Sequence, residues 1–402
     1  MKVLYVCHRF PYPPKRGGKI RPFNMIKHLS GNHDVTVASL TRSQEELEAA
    51  RGIAPYCDRY LVEKVWGPAA HARMLARLPT RVPSSMGYFY SPRLAARIRA
   101  ALAKCRYDLI FVHCSSAAQY VAHVAGTPKI LDFGDMDSQK WLTYTAYRRF
   151  PMAAGYWLEG RKLMREEVRL ARRFDYCTCT TRAELETLRS YPATTESDWF
   201  PNGVDLDYFS PEHRTYNPNE ICFVGRMDYF PNQQGVLQFC RDIWPQITAQ
   251  RPQTQLTVVG ANPSPEIRRL ASHAGITVTG TVDDVRPYVH RCAVNIAPLR
   301  IARGTQNKIL ESMAMGVPVV ATATAAGGID AVAGEHFVQA NDDKQFADAT
   351  LRLLNNSDVR QRLSVNARAR MESHHCWAAS MMRLDAIIER TLDSFRARQQ
   401  AA

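Results

Sequence analysis

Residues 297–322, APLRIARGTQNKILESMAMGVPVVAT, dictate a strand that ends at Pro298, a basic glycine loop, a helix and a second strand. Strand, helix and strand in that order form a parallel crossover unit, and open parallel sheets take ligands at the carboxyl ends of their strands. The start of the helix offers unpaired N–H groups to an anion. Arg300, Arg303 and Lys308 add fixed positive charge. Glu311, about one turn into the helix, can accept hydrogen bonds from a sugar diol. Together these groups suit a nucleoside diphosphate sugar.

The same alternation runs through the whole chain. KVLYVC (Lys2–Cys7) reads as a buried strand, followed by a loop with Gly17 and Gly18, a helix over 19–29 and a strand over 34–40. Further strands are predicted over 108–113, 129–133 and 176–180, with helices over 117–124, 156–173 and 182–191. Pro201, Asn202 and Gly203 mark a turn. A second series follows: strands over 220–224, 255–259, 276–279, 293–297 and 317–321, and helices over 233–250, 265–274, 284–291, 343–354 and 358–373. A last helix covers about 378–398. The predicted class is α/β, with domains over 1–198 and 199–375 and a final helix and tail over 376–402. A chain of 402 residues exceeds what one core usually holds, which agrees with two domains.

The formal net charge of +14 calls for an anionic partner. From Lys64 to Arg106 no Asp or Glu interrupts the basic residues. That run is either the solvated face of ordinary helices or a patch that meets an anionic membrane surface. The 10 cysteines include no Cys-x-x-Cys pair and no zinc-like spacing with histidine, so a reducing cytoplasm is expected. No stretch has the run of about 18 apolar residues that a membrane-spanning helix needs. The expected location is cytoplasmic, with peripheral attachment at the inner face of the plasma membrane.

The order of motifs is specific. Gly17-Gly18 is followed by PNGVD (201–205), VGRMDYFPN (224–232), VTGTVDDVRPY (278–288) and the 297–322 segment. This order resembles the retaining glycosyltransferases of family 4. It is most similar to the sugar transferases of exosortase (PEP-CTERM) and exopolysaccharide loci. The resemblance implies a GT-B fold: two Rossmann-like domains facing a central cleft, with a C-terminal helix, here after Trp377, crossing back to the first. It assigns the acceptor to the first domain and the nucleotide sugar to the second.

The resemblance also implies roles. Arg226, after Gly225, grips the diphosphate and stabilises the leaving group together with Lys308. The lysine the family carries a few residues after the arginine is absent, and Lys308, Arg300 or Arg303 supplies its charge. Glu311 matches the second glutamate of the family's E-x7-E motif and binds ribose hydroxyls. The first glutamate is replaced by Arg303, which makes the loop Gly304-Thr305 a phosphate clamp. Gly17, Gly18 and Gly260 permit close approach to the donor or form plain turns. Backbone groups of Thr281 and Val282 pair with the base.

Among the remaining candidates, Arg21 steers an anionic acceptor or is solvated. Asp135 and Asp137 bind sugar or acceptor hydroxyls or cap the next helix. His113, closing a strand, contacts sugar or acceptor or is structural. Asp135-Met136-Asp137 has the spelling of a metal motif but lies in the wrong half for this fold. The expected function is retaining transfer from a nucleotide diphosphate sugar to a lipid-linked or polysaccharide acceptor, independent of metal and of any cofactor. The rival readings are a nucleotide-sugar epimerase and a non-catalytic protein that binds nucleotide sugar or nucleic acid. Nucleic acid is not an expected partner, because no recognised module accompanies the basic run.

Overall fold

The computed structural model describes every residue except Lys15, Arg16, Thr194, His213, Arg214, Thr215 and Ala402. The chain forms two compact units, Met1–Phe200 with Met381–Ala402, and Pro201–Ser380. No helix among the described residues is long and apolar enough to cross a membrane.

In the first unit the strands are β1 (Lys2–Cys7), β2 (Asp34–Thr41), β3 (Arg59–Lys64), β4 (Leu109–His113), β5 (Lys129–Gly134), β6 (Tyr176–Cys179) and β7 (Glu196–Trp199). They lie in the order β3-β2-β1-β4-β5-β6-β7, and every pair is parallel. A parallel sheet is covered by helices on both faces, so its inner strands are apolar throughout. β1 and β4 fit that rule, and Tyr5 stacks on Phe111 with ring centroids 5.3 Å apart. The helix Trp377–Ala401 returns the chain to this unit and buries Met381, Leu384, Ile387 and Ile388. His28–Asp385 and Arg390–Asp198 pairs fasten it.

In the second unit β8 (Asn217–Val224), β9 (Gln255–Val259), β10 (Ile276–Gly280), β11 (Cys292–Ala297), β12 (Val319–Ala321) and β13 (Val338–Gln339) form a parallel sheet. Their order is β10-β9-β8-β11-β12-β13. Gly203 of PNGVD has a packing reason: a Cβ there would lie 2.7 Å from the Trp377 backbone and ring. Val204 N–H donates to His375 O at 2.7 Å beside it.

Several sequence expectations shift. The helix expected over 117–124 is confined to Ser115–Ala118, with turns after it. The one expected over 233–250 starts earlier, at Phe230, and widens to a π-helical turn over Phe239–Ile243. β3 and β7 were not expected. Each is an edge strand with too few buried residues to make a pattern, two in β3 and none in β7.

One ion pair locks the first unit. Asp132, fully buried on β5, accepts from Arg21 Nε at 2.9 Å and Nη2 at 3.0 Å, from His113 Nδ1 at 2.7 Å and from Thr178 Oγ1 at 2.9 Å. Arg21 also donates to Phe200 O at 3.0 Å and lies 3.7 Å over the Phe200 ring. The expectation that Arg21 steers an acceptor is therefore corrected: its guanidinium is buried and committed to holding the 17–29 helix against three strands. Lys19 is likewise paired, with Glu46 at 2.8 Å. Burial alone would raise the Asp132 carboxyl. The Arg21 charge leads the effects that hold it well below the usual carboxylate range.

Arg21→Met should destabilise the protein by about 3–5 kcal/mol in urea denaturation, because it strands a buried carboxylate. A depressed native pKa gives stability that is complete above the unfolded value of about 3.9 and is lost as pH falls below it. The gap between wild type and variant should therefore close in acid.

Candidate functional site

Two glycines open the carboxyl edge of the second sheet. Gly225 follows β8 and donates N–H to Val259 O at 3.0 Å. Gly260 follows β9 with φ +155°, and a Cβ there would lie 1.8 Å from Gly225 O. A Cβ on residue 225 would meet Asn232 Nδ2 at 2.7 Å and Lys308 Nζ at 2.9 Å. No side chain fits at 260, and one at 225 would displace the Asn232 and Lys308 side chains.

Lys308 comes from the helix Asn307–Ala314. Its Nζ donates to Asn232 Oδ1 at 2.7 Å and lies 4.3 Å over the Phe223 ring. Asn232 in turn donates to Arg226 O at 2.8 Å. Burial pushes the Lys308 ammonium down to about 7, opposed by the nearby Glu311 carboxylate. Burial pushes Glu311 up to about 7, opposed by Lys308. Asn232 thus occupies the vicinity in which the VGRMDYFPN motif lacks a lysine, and Lys308 brings the ammonium to it. The sequence pointed to Lys308, but a lone asparagine six residues after Arg226 gave no signal of its own.

The other candidates differ in commitment. Arg226 places Nε 2.9 Å from Asp228 Oδ1 and a second N–H on Oδ2, and both partners are more than one-third exposed. Arg300 is turned to Asp343 at 2.8 Å, in a pocket lined by Thr322 and Asn341, so it does not supply charge beside Gly225. Arg303 is half-buried, and its carbonyl accepts from Gln306 Nε2 at 3.3 Å. Gly304 has φ +62°, and its carbonyl comes within 2.1 Å of where a Cβ on residue 328 would be. Thr305 Oγ1 donates to Gly328 O at 3.2 Å. Its hydroxyl proton is thereby used within the loop. Val282 packs toward Val224 and Val259, the last residues of β8 and β9, and leaves its backbone at the strand ends. Thr281 is exposed beside it.

The carboxyl edge of the first sheet holds the rest. Gly17 and Gly18 begin the 17–29 helix and are exposed. A Cβ at residue 18 would meet nothing among the described residues closer than Arg9 Nη1 at 3.9 Å. His113 Nδ1 lies 2.7 Å from Asp132 Oδ2, so an ionised Asp132 takes a hydrogen bond from it. Asp135 accepts from Thr180 Oγ1 at 2.9 Å, and its carboxyl is raised by burial. Asp137 opens the helix Asp137–Thr145 near Cys114 Sγ, at 3.7 Å. Neither aspartate caps that helix: Met136 N–H goes to Glu184 and Ser138 N–H to Glu167, each at 2.9 Å. His8, just past β1, escaped the sequence reading. Its Nδ1 is buried without a partner, its ring lies edge-on to Phe89 and 6.1 Å from that of His113, and burial holds it well below the usual range. Among the described residues no three His, Cys, Asp or Glu side chains gather within reach of one metal ion.

Comparison with known proteins places these edges in context. Residues 16–208 match the glycosyltransferase family 4 profile, and residues 218–356 match the glycosyl transferases group 1 profile. The chain is 28% identical over 318 residues to a phosphatidyl-myo-inositol mannosyltransferase of Mycobacterium leprae, covering 73% of this chain and 77% of that one. Among solved structures it is similar to sucrose-phosphate synthase from Thermosynechococcus elongatus, with TM-score 0.73, 17% identity, and coverage of 98% of this chain and 100% of that one. It is also similar to Anabaena Alr3699/HepE in complex with UDP, with TM-score 0.71, 14% identity and coverage of 97% and 100%.

A lysine whose native pKa lies below its unfolded value destabilises the fold at low pH. That penalty is full below about 7 and fades as pH rises toward about 10.4. Lys308→Met should therefore raise the melting temperature, by more at pH 6 than at pH 9.5, in parallel thermal denaturations of variant and wild type.

Proposed function

We propose that this chain, a hexosyltransferase of GT-B fold with a family 4 and a group 1 glycosyltransferase domain, moves a sugar from a nucleoside diphosphate donor to a lipid-linked or polysaccharide acceptor with retention at the anomeric carbon. The observation that carries the reading is the Lys308 ammonium, desolvated against Phe223 and held by Asn232 alongside the two glycines. A cation kept partly out of water gains more from an arriving diphosphate than a solvated one does.

In this reading the C1–O bond to the β-phosphate breaks as the acceptor hydroxyl forms its bond to C1 on the same face. The hydroxyl proton ends on the departing phosphate oxygen. Lys308 and the first N–H groups of the Asn307–Ala314 helix stabilise the charge that grows on the diphosphate. Arg226 joins them by exchanging Asp228 for phosphate oxygens. Glu311 accepts from the ribose hydroxyls, and the Thr281–Val282 backbone meets the base. Arg303 and Gly304 meet the donor in the second unit, and in the first the glycine pair at 17–18 offers its N–H groups to phosphate. His113, Asp135 and Asp137 receive the sugar or acceptor hydroxyls.

The Anabaena structure in complex with UDP supports a nucleotide donor, and the mycobacterial relative's name supports a lipid acceptor. We assign the chain to exopolysaccharide synthesis of the exosortase-associated kind on the motif order alone. The reaction needs no metal, because Lys308 and the helix start provide the positive charge.

A panel of nucleotide sugars tests the donor site. A cognate donor at 100-fold its Kd should stabilise the protein by about 2.7 kcal/mol. Glu311→Ala and Lys308→Met should each abolish the shift; a full shift in either variant removes the site. Calorimetry in buffers of different ionisation enthalpy should show proton uptake on donor binding at pH 8, where Lys308 is mostly neutral. At pH 6, where Glu311 is mostly protonated, it should show proton release. In turnover, EDTA should leave the rate unchanged, and the product should keep the donor's anomeric configuration by NMR; an inverted product refutes retention.

A further inference from the structure

A histidine outside the donor site, His375, is wholly buried in the second unit. It follows the helix Ser357–His374, and its N–H donates to Met371 O at 3.0 Å. Each ring nitrogen faces a main-chain group. Asp330 N–H donates to Nε2 at 3.1 Å, and Nδ1 lies 3.2 Å from Asn202 O. An amide N–H only donates and a carbonyl only accepts, so the two partners select one form: a neutral imidazole with its proton on Nδ1. Burial keeps the ring below its usual pKa range; among the charged neighbours the Asp330 carboxylate opposes this, and Arg370 and His374 assist it.

Both partners lead to the donor site. Asp330 lies two residues after Gly328, against which the Gly304-Thr305 loop rests. A Cβ on residue 328 would lie 2.1 Å from Gly304 O and 3.0 Å from Thr305 Cα, and Thr305 Oγ1 donates to Gly328 O at 3.2 Å. Arg370 holds the other polar groups of Asp330: its Nε donates to the carbonyl at 2.6 Å and its Nη2 to the carboxylate at 2.7 Å. In the other direction, Asn202 Nδ2 reaches Asn307 Oδ1 at 3.4 Å. Asn307 is the first residue of the helix that carries Lys308. Val204 N–H, donated to His375 O at 2.7 Å, fastens the 201–205 segment to the same residue.

An apolar side chain at 375 could fill the space, but it would leave Asp330 N–H and Asn202 O without the ring that joins them. We propose that His375 is a positioning residue of the donor site: its imidazole holds the 328–330 segment against the Gly304-Thr305 loop and, through Asn202, the start of the helix bearing Lys308. The proposal deepens the donor-site reading and rests on it, since a loop set in place has a use only where it meets a ligand.

Two substitutions separate the hydrogen bond from the space the ring fills. A glutamine carries its carbonyl oxygen out to about the position of Nε2, whereas an asparagine reaches only to about that of Nδ1. His375→Gln keeps an acceptor for Asp330 N–H and should bind UDP and GDP like the wild type in titration calorimetry. His375→Asn loses that acceptor and should weaken binding of the tighter nucleotide about tenfold. Urea denaturation establishes that each variant is folded in the titration buffer, so lost stability is read separately from lost affinity. Gly328→Ala leaves His375 untouched and drives a methyl group at Gly304 O. It should weaken binding as well, and it decides the matter if His375→Asn does not fold. Amide hydrogen exchange in the free protein should rise over 303–308 and 328–330 in His375→Asn or Gly328→Ala and stay unchanged over β9.

The proposal is overturned if folded His375→Asn or Gly328→Ala binds like the wild type. It is overturned equally if His375→Gln loses as much affinity as His375→Asn, or if exchange over the two segments does not change. If neither nucleotide binds the wild type while exchange over 303–308 still rises in the variants, the donor-site reading falls and the hold of His375 on the loop stands.

Discussion

Parallel pairing is the constraint on which the molecule depends. Every strand pair in both sheets is parallel, so each strand must be followed by a crossover, and all strand ends that bear loops of one polarity share one edge. In the second unit that edge carries Gly225, Gly260, Val282 and the loop before Lys308. In the first it carries His8, His113, Gly134 and Cys114. Residues far apart in sequence meet there because the sheet permits no other place for them. Gly260 adds a local condition: the backbone of residue 225 approaches it so closely that only hydrogen can face that carbonyl.

The two edges treat buried charge in opposite ways. Asp132 is surrounded by Arg21, His113 and Thr178, and its lone pairs are used. Such a fully partnered carboxylate serves the fold. Lys308 has one neutral acceptor, Asn232, and an aromatic face, which leave an ammonium short of its hydrogen bonds. Glu311 has its pKa raised by burial with only Lys308 opposing. Strain of this kind is what a ligand relieves, and it separates a binding group from a structural one where residue type alone does not.

The sequence made the periodic parts of this picture legible. Strands such as β1 and β4 are nearly continuous apolar runs, and the loop before Lys308 announces itself by its glycine and its charges. Edge strands β3 and β7 stayed hidden because half-exposed polar residues leave no period. Partners across the fold were hidden for a different reason. Nothing near Arg21 in the chain indicates that Asp132, 111 residues away, will bury it. Likewise, Lys308 reveals its relation to Asn232 only when β8 and β11 lie side by side.

Burial also decides which arginine is free to act. The Arg21–Asp132 pair is almost wholly excluded from water, and removing either partner would leave an uncompensated charge costing about 3–5 kcal/mol. No ligand contact at a strand end repays that readily, so Arg21 stays with the fold. The Arg226–Asp228 pair has the same fork geometry, but both partners are more than one-third exposed. Water already competes for each of them, and an exposed pair of this kind is worth only about 0–1 kcal/mol. A diphosphate offers the guanidinium equivalent oxygens with more charge, and Asp228 can return to solvent and to Asn262. The exchange runs downhill for Arg226 and uphill for Arg21, although the two pairs look alike on a list of contacts.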